Sequence, residues 1–196
     1  MTFEKQIEHT RCVLERRKGH DDATSATGSS LILRTPHIAP KAYFHVLHAP
    51  LSQQDIETLD QRLISGLHSD LKLLYSRLNG GMIFSGGIRL MGYVPHETTQ
   101  SVSPHTYPSN IVAYEEPTLL EGGLRIAFYK YDGSFCYIRD TGEVVRSVPE
   151  NKPIWVQRWD NVFDWLETEV VRMDEKFDEL GRPIGEPSDL FASRCS

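Results

Sequence analysis

Apolar residues recur at helical spacing in four stretches of the chain. The clearest stripe has steps of three or four residues, which place it on one face of a helix, and it consists of Val162, Leu166, Val170, Met173 and Phe177. We predict helices over residues 3–18 and after Ser52, Ser69 and Asp160. The last three are predicted N-caps, because their side-chain oxygens accept hydrogen bonds from unpaired backbone N–H groups.

Glycines are predicted to end the two middle helices. The first, with Ile56, Leu59, Leu63 and Ile64 on its apolar face, stops at Gly66. The second stops at Asn79-Gly80-Gly81, where a residue without a Cβ can adopt the left-handed conformation that satisfies the last helical carbonyl groups.

Elsewhere the apolar pattern alternates, which predicts strands. The strongest signal is an antiparallel meander with hairpin turns at Asp132-Gly133 and Thr141-Gly142, over residues 124–131, 134–140 and 143–148. Two short strands are predicted around Gly86-Gly87 within 82–94. Residues 31–35 and 42–49 are predicted as strands at a sheet edge, since Pro36 and Pro40 separate them.

These elements predict an α+β fold, an antiparallel meander with helices packed against it. We expect an N-terminal helix and flexible linker over 1–30, a single domain over 31–181 and a loose tail over 182–196. The linker prediction rests on residues 19–30, which lack apolar periodicity and are rich in Gly, Ser, Thr and Asp. A long loop is predicted over 95–123. Trp159 and Trp165 are predicted to pack the last helix onto the sheet.

Charge is unevenly distributed along the chain. The net charge is −6, yet residues 160–189 carry 10 acidic and 3 basic side chains, so the rest of the chain is close to neutral. This distribution argues against nucleic acid as the main partner, because phosphate binding needs a basic surface. It favours a basic protein partner, which an acidic face would attract.

The chain carries no apolar leader and no stretch long enough to span a membrane, so we expect a cytoplasmic protein without membrane contact. Its three cysteines are far apart and form no Cys-x-x-Cys pair, which fits a reducing compartment.

No catalytic or metal-binding set emerges from the sequence. His45 and His48 form an H-x-x-H, but an offset of three on a strand places the side chains on opposite faces, so we expect ordinary surface or partly buried histidines. Ser85 is flanked by glycines in a turn between strands rather than in a nucleophile elbow. We therefore predict a non-enzymatic protein without metal or cofactor.

The order of motifs resembles the SUKH superfamily, also described as the yeast cell-wall-assembly-regulator or killer-toxin-resistance family. The resemblance covers roughly residues 50–175 and rests on Asn79-Gly80-Gly81 after an amphipathic helix, on Gly133-Ser134-Phe135-Cys136-Tyr137-Ile138, and on Phe163-Asp164-Trp165-Leu166 in the closing helix. It differs in the segment 1–30, the long loop and the residues Gly66-Leu67-His68-Ser69, where the family has Leu-Pro.

The resemblance implies an α+β fold and, in bacteria, an immunity protein that binds and neutralises a polymorphic toxin by steric and electrostatic blockade. A regulatory or scaffold protein of the same fold is the alternative. A small hydrolase, with His96 or His105 beside Glu115 or Glu116, is a third hypothesis. The oligomeric state and the partner's identity stay open.

Six acidic residues are the predicted contacts for a basic partner such as a toxin domain. They are Glu115 and Glu116 in the long loop, and Asp174, Glu175, Asp178 and Glu179 at the end of the last helix. We expect the second set to lack compensating Lys or Arg partners, which favours a docking face over a neutralised helix end.

Overall fold

In the part of the chain that the structure describes, one open sheet joins the strands of this α+β fold, and four α-helices accompany it. The computed structural model describes residues 2–95, 103–114, 123–148 and 154–185. In chain order the elements are α1 (Phe3–Glu15), β1 (Ala23–Thr24), β2 (Ser30–Arg34), β3 (Tyr43–Leu47), α2 (Gln53–Arg62), α3 (Ser69–Tyr75), β4 (Gly81–Ile83), β5 (Ile88–Gly92), β6 (Ser109–Asn110), a 3-10 helix (Ile111–Tyr114), β7 (Leu124–Tyr129), β8 (Phe135–Ile138), β9 (Val144–Val148), β10 (Ile154–Trp159) and α4 (Val162–Asp174). The predicted fold class is confirmed.

The strand order is β1-β2-β3-β4-β5-β7-β8-β9-β10, and these neighbours are antiparallel. The short strand β6 pairs with β5 in parallel, outside this path. The predicted meander is confirmed as β7, β8 and β9, in which Leu124 pairs with Ile138 and Ile138 with Val144. Strand β10 extends the meander by one strand that the sequence pattern did not predict.

The edge position predicted for residues 31–35 and 42–49 is wrong. Strand β2 lies between β1 and β3, and β3 lies between β2 and β4. Pro36 and Pro40 fall in the connection between β2 and β3, which the N–H group of Thr35 closes by donating to the carbonyl oxygen of Ala42 at 3.0 Å. A proline constrains a strand only where its missing N–H would have paired, and these two lie outside the ladder.

The segment predicted as a flexible linker is hydrogen-bonded into the sheet. Strand β1 pairs with β2, with Ala23 opposite Leu31 and Thr24 opposite Ser30. Asp22 accepts a hydrogen bond from the N–H group of Leu33 at 2.9 Å. Composition misled the prediction because Gly, Ser, Thr and Asp are common in tight turns as well as in linkers.

Helix α1 packs lengthwise against α4. Gln6 contacts Asp164 at 2.5 Å, and His9 contacts Glu167 at 2.6 Å. The residue numbers of the two contacting side chains increase in the same direction along both helices. The two helices are therefore parallel. Phe3 stacks on Phe163 at 4.9 Å between ring centroids. The N-terminal helix thus forms part of the packed fold.

Helix caps agree with the sequence to within one residue. Ser52 caps α2 as predicted, with its side chain accepting from the N–H group of Asp55. The caps of α3 and α4 are His68 and Asn161 rather than the predicted Ser69 and Asp160. Helix α2 ends before Gly66, and Ile64, predicted for its apolar face, is 76% exposed.

The Asn79-Gly80-Gly81 segment joins α3 to the sheet. The side chain of Asn79 donates to the carbonyl oxygen of Tyr93 at 2.8 Å and accepts from its N–H group at 2.7 Å. The side-chain amide of Asn79 thus pairs with the backbone of Tyr93, just after β5, as a neighbouring strand would. Gly80 makes the turn with a φ of 73°. The motif therefore holds the helix end against the middle of the sheet.

Helix α4 covers the sheet with its predicted apolar face. Val162, Leu166, Val170 and Met173 are all buried. Trp165 is buried as well, and its indole N–H donates to the hydroxyl of Tyr129 on β7 at 2.9 Å. Trp159, the last residue of β10, packs partly buried against the same core.

Candidate functional site

Asp174, predicted to lie on an exposed acidic face, is buried at the end of α4. Its carboxylate pairs with the buried guanidinium of Arg17 and, at 2.7 Å, with Arg16. Arg17 also donates to the backbone carbonyl oxygens of Phe177 at 2.9 Å and Asp178 at 3.1 Å. The expectation that Asp174 is exposed and lacks a basic partner is wrong, because it is buried and paired with two arginines of the N-terminal segment.

The other predicted acidic residues divide into three groups. Asp178 accepts hydrogen bonds from the N–H groups of Arg182 and Leu180, which lower the pKa of its carboxyl. Glu175 and Glu179 are exposed. Glu115 and Glu116 lie outside the described residues. Of the four acidic residues predicted at the end of the last helix, Glu175 and Glu179 are therefore the two that are exposed.

The charge asymmetry of the sequence is largely matched inside the fold. Residues 1–18 carry five basic and three acidic side chains, and α1 lies along the acidic α4. Arg16 and Arg17 neutralise Asp174, and His9 contacts Glu167. Opposite charges of Asp174 and the two arginines, about 157 residues apart in sequence, therefore stabilise the packing of the N-terminal segment against the end of α4. The acidic excess is weak support for a docking surface there.

A groove beside α1 forms a concave site among the described residues. Its volume is about 380 Å³, within the range of roughly 300–1,000 Å³ typical of binding pockets. One wall is α1, the other is the end of α3, and the connection after β3 closes one side at Ala49 and Pro50. We call this site the α1 groove. Its floor is apolar, formed by Leu14, Leu47, Leu74, Phe163 and Leu166.

The rim of the α1 groove is charged. Glu4, Glu8, Arg11 and Glu15 line the α1 wall, and Arg77 lies on the α3 wall. Glu15 is neutralised, because it pairs with Arg11 at 3.0 Å and with Lys18 at 2.8 Å. Glu4, Glu8 and Arg77 are exposed. The sequence pattern did not indicate this site because its lining comes from α1, α3, α4 and the connection after β3, which are distant in the chain.

His45 and His48 are buried, which corrects the prediction of surface or partly buried histidines. The Nδ1 atom of His45 accepts a hydrogen bond from the N–H group of Phe84 at 3.2 Å, and Nδ1 of His48 lies 2.9 Å from the hydroxyl of Ser29. Burial, with a contribution from Arg17, lowers the pKa of His45 to about 3. Burial, with a contribution from His105, lowers the pKa of His48 to about 4.

These two histidines should make the protein acid-sensitive. Between pH 6.5 and 4 the unfolded chain binds protons at both positions and the folded chain does not, so the free energy of unfolding should fall as the pH falls. We expect a slope near pH 5 of about 1.4 kcal/mol per pH unit for each histidine. Urea unfolding from pH 7 to pH 5 measures it.

A matched pair of variants isolates the contribution of one site. His48→Gln should remove one of the two protons and reduce the slope, whereas His20→Gln, at a side chain that is 93% exposed, should leave it unchanged. An unaltered slope in His48→Gln would show that His48 is not held neutral in the folded chain.

A second buried polar cluster fixes α4 on the sheet, and sequence analysis did not single it out. Arg146 of β9 is 1% exposed, and its guanidinium donates to the hydroxyl of Tyr131 at 3.5 Å. Glu169 of α4 is also 1% exposed and pairs with Arg172 at 2.8 Å, and Arg172 donates to the same hydroxyl at 2.9 Å. The alternation along β9 was the available signal, because it places Arg146 on the same inward face as Val144.

The remaining candidates for chemistry are inaccessible. Cys136 is fully buried, and burial raises the pKa of its thiol well above its usual range. Ser85 lies in the turn between β4 and β5 with a φ of 54°, and its hydroxyl is buried. Within residues 2–95, 103–114, 123–148 and 154–185, no three His, Cys, Asp or Glu side chains group closely enough to hold a metal ion.

Comparison with protein-family models, with curated proteins and with solved structures finds no match to this chain. The likeness to the SUKH superfamily therefore rests on the motifs quoted above. In the part of the chain that the structure describes, no helix has the length and apolar character needed to cross a membrane.

Proposed function

We propose that this chain is a non-catalytic protein-binding domain that contacts its partner through the α1 groove. The observation that carries the proposal is the combination of an apolar floor with a charged rim in a groove of about 380 Å³. Interfaces bind most strongly where apolar side chains fill a pocket that polar groups surround.

The state of the titratable side chains supports binding over catalysis. A nucleophile or general base must be accessible and must lie within hydrogen-bonding distance of the reacting group. Cys136 and His45 are buried, and Asp174 is neutralised by two arginines. His48 lines the groove but is only 3% exposed, and its Nδ1 atom lies against the hydroxyl of Ser29. These side chains serve the packing of the fold, which leaves the groove as the feature suited to recognition.

The more specific proposal is an immunity protein that neutralises a toxin domain by occluding it, and the resemblance to the SUKH superfamily supports it. A basic toxin domain would find exposed carboxylates at Glu4 and Glu8 on the groove wall. We place this interaction in the cytoplasm, since Cys12 and Cys136 are free thiols.

Site-specific photo-crosslinking in the source cell tests the proposal. We would replace Arg77, on the groove rim, with p-benzoylphenylalanine, and use Lys130, exposed at the turn after β7, as the matched control position. We expect one protein to crosslink at Arg77 and not at Lys130, and mass spectrometry to identify it. Crosslinks that are equal at both positions, or absent at Arg77, would remove the groove from the account.

Activity of the captured protein then separates the two functional readings. An immunity protein should abolish the toxic or nuclease activity of its partner at equimolar ratio. Capture of a partner whose activity is not inhibited would favour a regulatory or scaffold protein and would contradict toxin neutralisation.

A further inference from the structure

We infer that the α1 groove takes an amphipathic helical segment of the partner, with Lys or Arg facing α1 and Asp or Glu facing α3. This inference rests on the proposed function and specifies the chemistry of its ligand. It is carried by the opposite signs of the free charges on the two walls, Glu4 and Glu8 against Arg77.

The floor requires an apolar anchor. Leu47, Leu74, Phe163 and Leu166 present carbon atoms to the groove and no charge. Burial of aliphatic surface contributes roughly 25 cal/mol per Å², so Leu, Ile, Met or Phe side chains fit this floor and polar side chains do not. A helical segment supplies such anchors at i, i+3, i+4 and i+7.

The α1 wall selects positive charge at a defined spacing. Glu4 and Glu8 lie four residues apart on one helix, so their Cβ atoms are separated by one turn, about 6 Å. Neither makes an ion pair or a side-chain hydrogen bond among the described residues, in contrast to Glu15. Two basic residues one turn apart on a partner helix match this spacing.

The α3 wall selects negative charge. Arg77 is exposed, and its guanidinium has no ion pair or side-chain hydrogen bond within the part of the chain that the structure describes. A partner with basic residues on one flank and an acidic residue on the other therefore satisfies both walls. A fatty acid is the competing occupant, but its carboxylate would meet three carboxylates against two arginines in the groove lining, and this excess of negative charge disfavours it.

Three synthetic helical peptides test the inference by titration into the full chain, followed by NMR chemical shifts or calorimetry. Each peptide has the same leucine stripe over about three turns. The flanks are Lys on one side and Glu on the other, Glu on both sides, or Lys on both sides. We expect the mixed peptide to bind most tightly, and the all-Glu peptide to bind about fivefold more weakly.

Charge reversals in the protein should reverse the preference. The double variant Glu4→Lys and Glu8→Lys should prefer the all-Glu peptide, and Arg77→Glu should prefer the all-Lys peptide. Glu175→Lys with Glu179→Lys, exposed glutamates away from the groove, should keep the original order. These five positions are exposed, so the variants are expected to fold, and a melting curve for each confirms it.

The inference would be overturned by equal affinity for the three peptides or by no binding. It would also be overturned if the fatty acid dodecanoate, titrated in the same way, bound more tightly than any peptide. The proposed function fails separately. A partner that crosslinks at Arg77 while the peptides show no charge preference leaves the protein-binding function intact and removes only the assigned chemistry.

Discussion

Replacing Asp174 with asparagine should lower the free energy of unfolding by about 3–5 kcal/mol, because it leaves the guanidinium of Arg17 buried without a counter-charge. Arg17 and Asp174 are 5% and 3% exposed, so water cannot replace the lost ion pair. Arg17 also donates to the backbone carbonyl groups of Phe177 and Asp178 after α4. These hydrogen bonds require the guanidinium to stay where the ion pair holds it. Urea denaturation at neutral pH measures the loss.

The neighbouring glutamates provide the matched control. Glu175→Gln and Glu179→Gln remove the same charge from exposed positions, and each should change the free energy of unfolding by less than about 0.5 kcal/mol. If Asp174→Asn proved as mild as these two, the ion pair between α1 and α4 would not be a structural element of the protein.

Gly81→Ala should also be severely destabilising, with a loss of about 3 kcal/mol. A Cβ atom at this position would lie 2.3 Å from the carbonyl oxygen of Val46, well inside contact distance. Gly81 pairs with Leu47 across β3 and β4, so relief of the collision requires movement of a central strand. The variant should therefore unfold at clearly lower denaturant concentration.

Gly19→Ala is the control for the intrinsic effect of replacing glycine. No atom lies within 4 Å of a Cβ built at Gly19, so the substitution should be neutral or slightly stabilising. A loss in Gly81→Ala no larger than that in Gly19→Ala would mean that β3 and β4 do not approach as closely as the structure has them.

Local periodicity was enough to predict the helices and strands whose buried residues recur at regular spacing within one segment. The stripe of α4 has steps of three and four residues, and its members from Val162 to Met173 are buried. The hairpins at Asp132-Gly133 and Thr141-Gly142 were predictable because short turns fix the pairing of adjacent strands. In both cases the information lies within about twenty residues of sequence.

Contacts between distant segments were not predictable in this way. The pairing of Arg17 with Asp174 joins residues 157 positions apart, and no spacing rule connects them. The same holds for Asn79 and Tyr93, where a side-chain amide takes the place of a strand. Strand β10 was missed because it follows a proline and was read together with the approach to α4.

The candidate site in the structure differs from the predicted one for the same reason. The sequence prediction placed partner contacts at the end of α4, because residues 160–189 carry 10 acidic side chains against 3 basic ones. The counter-charge is on α1, and the position of α1 along α4 also creates the groove. The rim residues Glu4 and Glu8 stand in a helix whose apolar pattern is irregular, which gave no signal of a concave surface nearby.

The most direct test of binding through the α1 groove is a calorimetric titration into two tryptophan variants. The titrant is the purified partner protein that the crosslinking experiment identifies. Ala49→Trp fills the groove from its closed side, and Ala113→Trp adds the same side chain at an exposed alanine in the 3-10 helix, outside the lining of the groove. With both variants folded, as their melting curves would show, we expect affinity to fall at least about tenfold in the first and to stay unchanged in the second. Equal affinities for the two variants would contradict the account.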